Sequence, residues 1–414
     1  MCHINEEFLE RAQLLGHDRT ALCAGREEIR HFTSSSIEEL RKIMSMATTE
    51  QRNLRQVSFF NPPIIIRQRL RQGTIDRVGA YIFAQGELSQ SDVERILNYF
   101  PVHLKSVSIG EKVLHKNEVW DITATADIWG IYEGCEIGTI LNVGRLIMEE
   151  GSKLIVKGNV LSLLCQQLII KSAANYDDKQ YQIGILPTPF SVDAKNGPLN
   201  GCDAEAGLPG KNGRDGKQVY TSNSILGKIL MNSISQEDMN GTDGEDGTNG
   251  GNGENGRNGG ICRIAEITIR DLKGKLVLFV QAGRGGDGGK GGDGGNGGNG
   301  GNGSDECSHL MGTLLQGNGG NGGNGGNGGN GGNGGNGGIC SNIYINVPEN
   351  SEEYIRVVAP PSEGGKEGDA GKGGKAGNKG NNGLAGINGN NGKNGKSGKS
   401  RPMPFVYIND KYVK

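Results

Sequence analysis

Cys307 and His309 stand two residues apart within 304–316, and a thiol beside an imidazole is the pairing that makes a cysteine nucleophilic. That chemistry needs a third group to orient the imidazole, and the sequence offers none that can be identified. Gly283-Arg284-Gly285-Gly286-Asp287-Gly288 follows an apolar run and satisfies the G-x-G-x-x-G spacing of a dinucleotide-binding turn. Such a turn works only where a helix follows, because the helix N-terminus holds the pyrophosphate. More glycine triplets follow here, so the match is rejected. Asp287 and Asp293 sit among glycines as in calcium-binding nonapeptide repeats, but the large apolar residue of those repeats is missing. The eight cysteines show neither CxxC nor Cys/His ligand spacing, and most of them read as small buried apolar residues rather than metal ligands. Asn240-Gly241-Thr242 and Asn302-Gly303-Ser304 are formal glycosylation sequons, meaningful only in a secreted eukaryotic protein. With no paired carboxylates, triad or ligand cluster to name, the expectation is a non-enzymatic protein without metal or cofactor.

What would hold such residues in place is mostly glycine. From Gly317 to Gly338 the chain reads Gly-Gly-Asn without a break, with Asn318, Asn321, Asn324, Asn327, Asn330, Asn333 and Asn336 in one row. A three-residue period suits a left-handed threefold helix of the polyproline II type, which makes no internal hydrogen bonds. Ordering one such run costs about 1–2 kcal/mol per residue. Only pairing with neighbouring runs, at roughly 0.5–1.5 kcal/mol per hydrogen bond, can offset that. The sequence supplies neighbours: triplets with two glycines at 285–303, and with one glycine at 207–216, 241–259 and 365–398. Each triplet position forms one face, so two-glycine runs present two bare faces and are expected inside a bundle, with one-glycine runs at its edge. Collagen would need abundant proline, and Pro209 is the only one within a periodic run. The competing reading is a low-complexity spacer.

Only 5% of the residues are aromatic, which leaves too little apolar material for one globular core and places a conventional core in the first half. The net charge of −2 gives no argument for nucleic acid. A locally basic stretch, 366–401, reads as a solvated edge that could touch an acidic surface. Met1-Cys2-His3 opens into charged, helix-like sequence with no apolar signal region, and no stretch reaches about 20 apolar residues. The expectation is therefore synthesis in the cytoplasm without a signal peptide and no membrane span, with an extracellular or particle-associated working place left open.

In order, residues 1–103 read as a mixed helical N-terminal cap, with short helices over 1–55. Capping boxes are expected at Ser36-Ile37-Glu38-Glu39 and Ser91-Asp92-Val93-Glu94, and a break at Asn61-Pro62-Pro63. Residues 104–190 read as short strands, punctuated by Gly110, Gly130, Gly144, Gly151 and Gly158, that suit a solenoid or sandwich. Trp120 and Trp129 are expected in the core. Residues 191–403 read as a glycine-triplet bundle, and 404–414 as a strand-like tail. Within the bundle Gly259-Gly260-Ile261-Cys262 recurs as Gly337-Gly338-Ile339-Cys340, and Ala265, Ile267 and Ile269 align with Ile343, Ile345 and Val347. Val277, Phe279 and Val280 then align with Ile355, Val357 and Val358. This is an internal duplication, expected as β-hairpins at 261–282 and 339–359 that bury their apolar faces on each other. The fold class expected is mainly β with polyglycine II, behind an N-terminal helical cap.

Gly-Gly-x and Gly-x-x runs separated by short non-repetitive segments resemble the glycine-rich receptor-binding adhesins at the tail-fibre tips of T-even-type phages. The resemblance covers roughly 200–400 and is compositional; residues 1–200 and the duplication have no counterpart in it. It implies a polyglycine II bundle whose loops contact a host surface. Carried to this chain, it implies contact through 304–316, with Ser304, Asp305, Glu306, Ser308, His309, Leu310 and Met311 as candidates, and through 217–240. Triplet usage is also similar to that of insect glycine-rich antifreeze proteins. Three functions follow as expectations: a recognition module that shows loops to a cell-surface glycan or protein, a self-assembling structural protein, or ice binding through the Asn row.

Overall fold

The computed structural model describes residues 5–60, 78–131, 135–171, 180–189 and 199–413. The expected break at Asn61-Pro62-Pro63 lies outside them. Among the described residues six short helices, α1 (Glu6–Leu14), α2 (Arg19–Cys23), α3 (Ile37–Met44), α4 (Thr49–Phe60), α5 (Gly79–Phe83) and α6 (Gln90–Ile96), lie in the N-terminal region. Strand β1 (Glu28–Ser34) lies among them, where the sequence reading had helices alone. Ser36 caps α3 by accepting from the Glu39 amide at 3.2 Å. The complete box of α6 belongs to Ser89 and Asp92, two residues before the expected one. Both serines have an acid three residues on, and the chain uses the earlier.

The protein is mainly β. After α6 the chain alternates between two sheets. β2 (Val102–Leu114), β4 (Ile137–Met148) and β6 (Val160–Ile170) lie parallel in one. β3 (Val119–Asp121), β5 (Lys153–Lys157) and β7 (Ile183–Leu186) lie parallel in the other. The first sheet continues through β10 (Ala265–Ile269), β15 (Ile343–Asn346) and β17 (Val406–Ile408), all parallel, and β11 (Leu272–Lys273) pairs beside β6. The second continues through β12 (Leu276–Val280) and β16 (Ile355–Val358). Within these two sheets, among the described residues, antiparallel pairing is confined to the ends of the first, where β1 joins β2 and β18 (Lys411–Tyr412) joins β17.

Alternation along the strands explains the layers. Leu141, Val143, Leu161, Leu163, Ile267 and Ile345 point between the sheets into one core, each contributing roughly 1.5–3 kcal/mol on full burial. Ile140, Val160 and Tyr344 point the other way, against the helices. On that helical side the sheet also buries polar residues that bond to the helical layer. Ser162 accepts from Arg11 Nη2 at 2.7 Å, and Asn142 donates to the Phe8 carbonyl at 3.0 Å. Arg55 of α4 is buried between Glu266 and Asp410, at 2.6 Å from each, with its guanidinium 4.3 Å from the Tyr344 ring centre. This ties the helical layer to β10 and to the C-terminal strands. Trp120 packs against the inter-sheet core as expected, whereas Trp129 sits on a small separate cluster, edge-on to His31 and His103.

Two strand-level expectations are corrected. Gly110 and Gly144 do not separate strands but face each other inside β2 and β4, where a Cβ on Gly144 would lie 2.4 Å from the Gly110 carbonyl oxygen. The expected hairpins do not form: β10 and β12 belong to different sheets, and each pairs in parallel with its counterpart, β10 with β15 and β12 with β16. Ala265 lies beside Ile343 and Ile267 beside Ile345, in the register expected, but Leu276 rather than Val277 lies beside Ile355.

The glycine runs leave the sheets and return between these strands. Runs 200–216, 285–303 and 365–380 are bonded side by side in one layer, through Gly207 N–H to Asp293 and Gly291 N–H to Asp369 carbonyls at 2.7 and 2.9 Å. Runs 241–259, 317–337 and 383–398 form a second layer, through Gly247 N–H to Asn324 and Gly325 N–H to Ile387 carbonyls at 2.8 Å. Antiparallel bonds join the layers, as from Gly323 N–H to the Gly298 carbonyl at 2.8 Å. Runs 285–303 and 317–337 each bond to four others, and the outermost runs to two. Both glycines of an inner triplet are enclosed: a Cβ on Gly325 would lie 2.1 Å from the Gly374 oxygen, and one on Gly326 2.0 Å from the Thr248 oxygen.

The third residue of the triplet has its N–H aimed out of the bundle, where a backbone donor still needs a partner. The neighbouring asparagine supplies it. Asn327 N–H donates to Asn249 Oδ1 at 2.7 Å, and Asn327 Oδ1 accepts from Asn390 N–H at 2.8 Å. Asn330, Asn333 and Asn336 repeat the arrangement. Only an acceptor is required, so Asp293 serves as well, taking Lys372 N–H at 2.7 Å.

Candidate functional site

Each glycine run has one end at the sheets. At the other end the runs are joined by 217–240, 304–316 and a tight turn at 381–382, so these three connections gather away from the strands. Two of them are β-hairpins: β8 (Thr221–Ser224) with β9 (Gly227–Leu230), and β13 (Cys307–His309) with β14 (Gly312–Leu314). Gly227 and Gly312, with φ of +123° and +148°, make the two turns possible.

The two connections are stitched together by backbone and side-chain hydrogen bonds. Leu310 N–H donates to the Lys228 carbonyl at 2.8 Å. The Gln236 side chain donates to the Leu315 carbonyl at 2.8 Å and accepts the Leu315 amide at 2.9 Å. Ser304 N–H donates to the Met239 carbonyl and its Oγ to the Lys217 carbonyl, at 2.8 and 2.7 Å. The Lys217 ammonium, 2.7 Å from Asp238, together with Ser235 holds the Asp238 carboxyl well below the usual carboxylate range. The candidates expected from sequence thus divide. Ser304 is a stitch, Ser308 Oγ meets Thr313 Oγ1 at 3.2 Å, and His309 Nδ1 accepts the Met311 amide at 3.3 Å. Asp305 and Glu306 line an open cleft of about 530 Å³ with Asp215, Gln218 and Asn381. Leu310 and Met311 stand in solvent, 53% and 92% exposed.

Their counterparts on the other tip, Ile225 and Leu226, are 105% and 77% exposed and were not singled out individually in the sequence reading. The signal was present: two adjacent aliphatic residues between Ser224 and Gly227, in a turn that usually takes polar residues. Leu384 and Ile387, both 74% exposed, extend apolar surface along the sixth run near the same end. Among the described residues no helix is long and apolar enough to cross a membrane, and none of their His, Cys, Asp or Glu side chains cluster as a metal site. Searches against protein-family models, curated proteins and solved structures return no match for this chain.

Proposed function

We propose that this protein is a non-enzymatic recognition module. In this reading the alternating parallel strands are a β-solenoid containing an internal duplication, the glycine runs are a polyglycine II bundle rooted in it, and the two hairpin tips meet a cell-surface protein or glycan. The three-residue period of hydrogen bonds between runs and the adjacency of Cys262 and Cys340 support the architectural part. One observation carries the functional part: Ile225, Leu226, Leu310 and Met311 are held in solvent on hairpins that are themselves fixed by hydrogen bonds. Leu310 rests partly on Gly227, while Ile225, Leu226 and Met311 are almost wholly in solvent, and exposed aliphatic groups gathered on a rigid mount suit a binding surface. The aliphatic character, with Tyr220 as the nearby aromatic, favours a protein over a sugar within this class, since sugars stack best on aromatic rings.

The test is binding of the full chain to whole cells and to a glycan array, beside a variant carrying Ile225→Ser, Leu226→Ser, Leu310→Ser and Met311→Ser. Binding lost in the variant with its circular dichroism unchanged supports the reading. Undiminished binding by the variant refutes it.

A further inference from the structure

We infer that the half of the glycine bundle nearest the sheets binds a linear anionic polysaccharide across the outer face of its second layer. This surface is separate from the hairpin tips and does not depend on them. Runs 241–259, 317–337 and 383–398 lie side by side there, and each turns one residue in three outward. Towards the sheets the last of these carries Lys393 and Lys396, with Lys399 just beyond it, and the other two carry asparagines.

Hydrogen-bond polarity makes this face one-sided. Asn330, Asn333 and Asn336 accept the backbone N–H groups of Lys393, Lys396 and Lys399 through Oδ1, at 2.8 Å in each case. Asn252, Asn255 and Asn258 accept from those three asparagines in turn, at 2.8, 2.7 and 2.9 Å. A backbone N–H needs an oxygen, so each carboxamide is held with Nδ2 as the group left over. Among the described residues neither these nitrogens nor the three ammonium groups bond within the chain. The patch therefore offers donors and positive charge, with no carboxylate in its rows. Elsewhere the bundle neutralises itself. In the first layer Asp287 and Asp293 stand beside Lys366 and Lys372, whose amides they accept at 2.7 Å. Towards the tips of the second layer Asp243 and Asp246 take the place of asparagine. On the flanking edges Glu254 and Glu367 are bonded to the Cys202 amide and the Ser397 hydroxyl.

Donors arranged in this way select a ligand that is extended, negatively charged and rich in acceptors. Lysines three residues apart on a threefold extended run recur at about 9 Å, the order of one disaccharide of an extended glycan. An acidic polysaccharide lying along run 383–398 sets one anionic group at each lysine and its hydroxyl oxygens over the carboxamide rows. A neutral glycan would leave the ammonium groups unmatched. Single-stranded nucleic acid fits less well, because its phosphates recur at every nucleotide and the three runs hold no aromatic residue on which bases could stack. Three charge contacts on an open face make the binding weak and sensitive to salt.

Fluorescence anisotropy of a labelled hyaluronan oligosaccharide, which carries one carboxylate per disaccharide, tests this with the full chain in low and high salt (about 50 and about 500 mM NaCl). Dextran and oligothymidylate serve as the neutral and nucleic-acid probes. Hyaluronan should bind in low salt more tightly than either, and at least about tenfold more weakly in high salt. Lys393→Ser/Lys396→Ser/Lys399→Ser should weaken it by at least about tenfold. Lys366→Ser/Lys372→Ser/Lys375→Ser, with the same loss of charge on the other layer, should stay within about twofold of wild type. Asn330→Asp/Asn333→Asp keeps an acceptor for the Lys393 and Lys396 amides but turns donors into carboxylates, and should weaken binding with circular dichroism unchanged. Ile225→Ser/Leu226→Ser/Leu310→Ser/Met311→Ser should bind as wild type, so this surface and the tips stand or fall separately. No binding of hyaluronan by the wild-type chain, equal losses in the two lysine variants, undiminished binding by a folded Asp variant, or dextran or oligothymidylate bound as tightly as hyaluronan would each overturn the inference.

Discussion

Gly326→Ala against Gly251→Ala separates an ordered bundle from a glycine spacer. Both residues lie in triplet runs, and neither has a positive φ. In a disordered spacer both changes would be silent, or slightly stabilising by about 0.4–1 kcal/mol wherever the run is transiently ordered. The structure treats them differently. A Cβ on Gly326 would lie 2.0 Å from the Thr248 carbonyl oxygen and 2.4 Å from its carbonyl carbon. Backbone cannot rotate away as a side chain can, so the two runs must part by more than 1 Å, by the order of an ordinary contact distance. Parting them stretches the bonds from Gly247 N–H to the Asn324 carbonyl and from Gly250 N–H to the Asn327 carbonyl, at 2.8 and 2.9 Å. Two hydrogen bonds at roughly 0.5–1.5 kcal/mol each plus a typical overpacking cost of about 1–3 kcal/mol give a loss of about 2–6 kcal/mol. On Gly251 the nearest atom is the Ala204 Cβ at 3.2 Å, with the Glu205 oxygen at 3.5 Å, and the change should stay within about 1 kcal/mol of wild type. Native-state hydrogen exchange across 317–337 is the assay, because it reads the stability of that stretch without assuming that the whole chain unfolds in one step. Equal protection in the two variants, or no protection of Gly326 in the wild type, would refute the reasoning.

Two further perturbations probe other parts of the fold. Asn327→Ala removes the acceptor of the Asn390 amide and should cost about 0.5–1.5 kcal/mol in local exchange free energy. Asn327→Asp keeps an acceptor and should cost less, and an Asp variant as damaging as the Ala one would show that the amide group is needed for something else. His17, buried between the Ser108 and Ser106 hydroxyls at 2.6 and 2.9 Å, has its pKa pushed down to about 4 by burial, with Glu28 opposing and Arg30 assisting. The unfolded chain then binds the proton more readily than the folded one. The stability associated with neutral His17 is present above about pH 6.5 and is lost progressively as pH falls from there towards about 4. Denaturation midpoints of wild type and His17→Gln compared over that window should diverge, the wild type falling more steeply on acidification. Parallel curves would count against a buried neutral imidazole.

The glycine period and the division into inner and outer runs were legible in the sequence because they depend on a local steric fact: a residue without a side chain can be approached on that face. Runs 285–303 and 317–337, with two bare faces, are the ones with four neighbours. The role of asparagine was not legible in the same way. Its partner is the backbone of a run 63 or 78 residues away, so the Asn row read as a surface feature when the side-chain oxygens from Asn321 to Asn336 are tied to the next run. The hairpins failed for a related reason. An apolar stretch, a turn and another apolar stretch describe a hairpin equally well as two strands that pass into different sheets, and only the parallel partners β15 and β16 distinguish them. At the tips, the position of 304–316 at the end of a rigid run could be inferred. That Leu310 would be joined there by Ile225 and Leu226 from a loop some 80 residues earlier depended on how the runs stack.

That stacking is itself set in the sheets. Asn240 and Asn318 are bonded 78 residues apart, and so are the strand partners Ala265 and Ile343 further along the same pass. Beyond the turn the separation is 79, both for Leu276 with Ile355 and for Asp287 with Lys366. The extra residue enters where the 3-10 helix Glu349–Tyr354 replaces the short strand Leu272–Lys273, which is why the sequence alignment of Val277 with Ile355 was one residue out. Glycine runs have no side chains on their inner faces to fix an axial position, and a slip by one triplet would restore every backbone bond. The strands cannot slip so freely, since a one-residue shift exchanges their core and outer faces. Register is therefore decided by apolar burial in the sheets and handed to the glycine ladder at each exit, and this keeps the two hairpins level with each other at the far end.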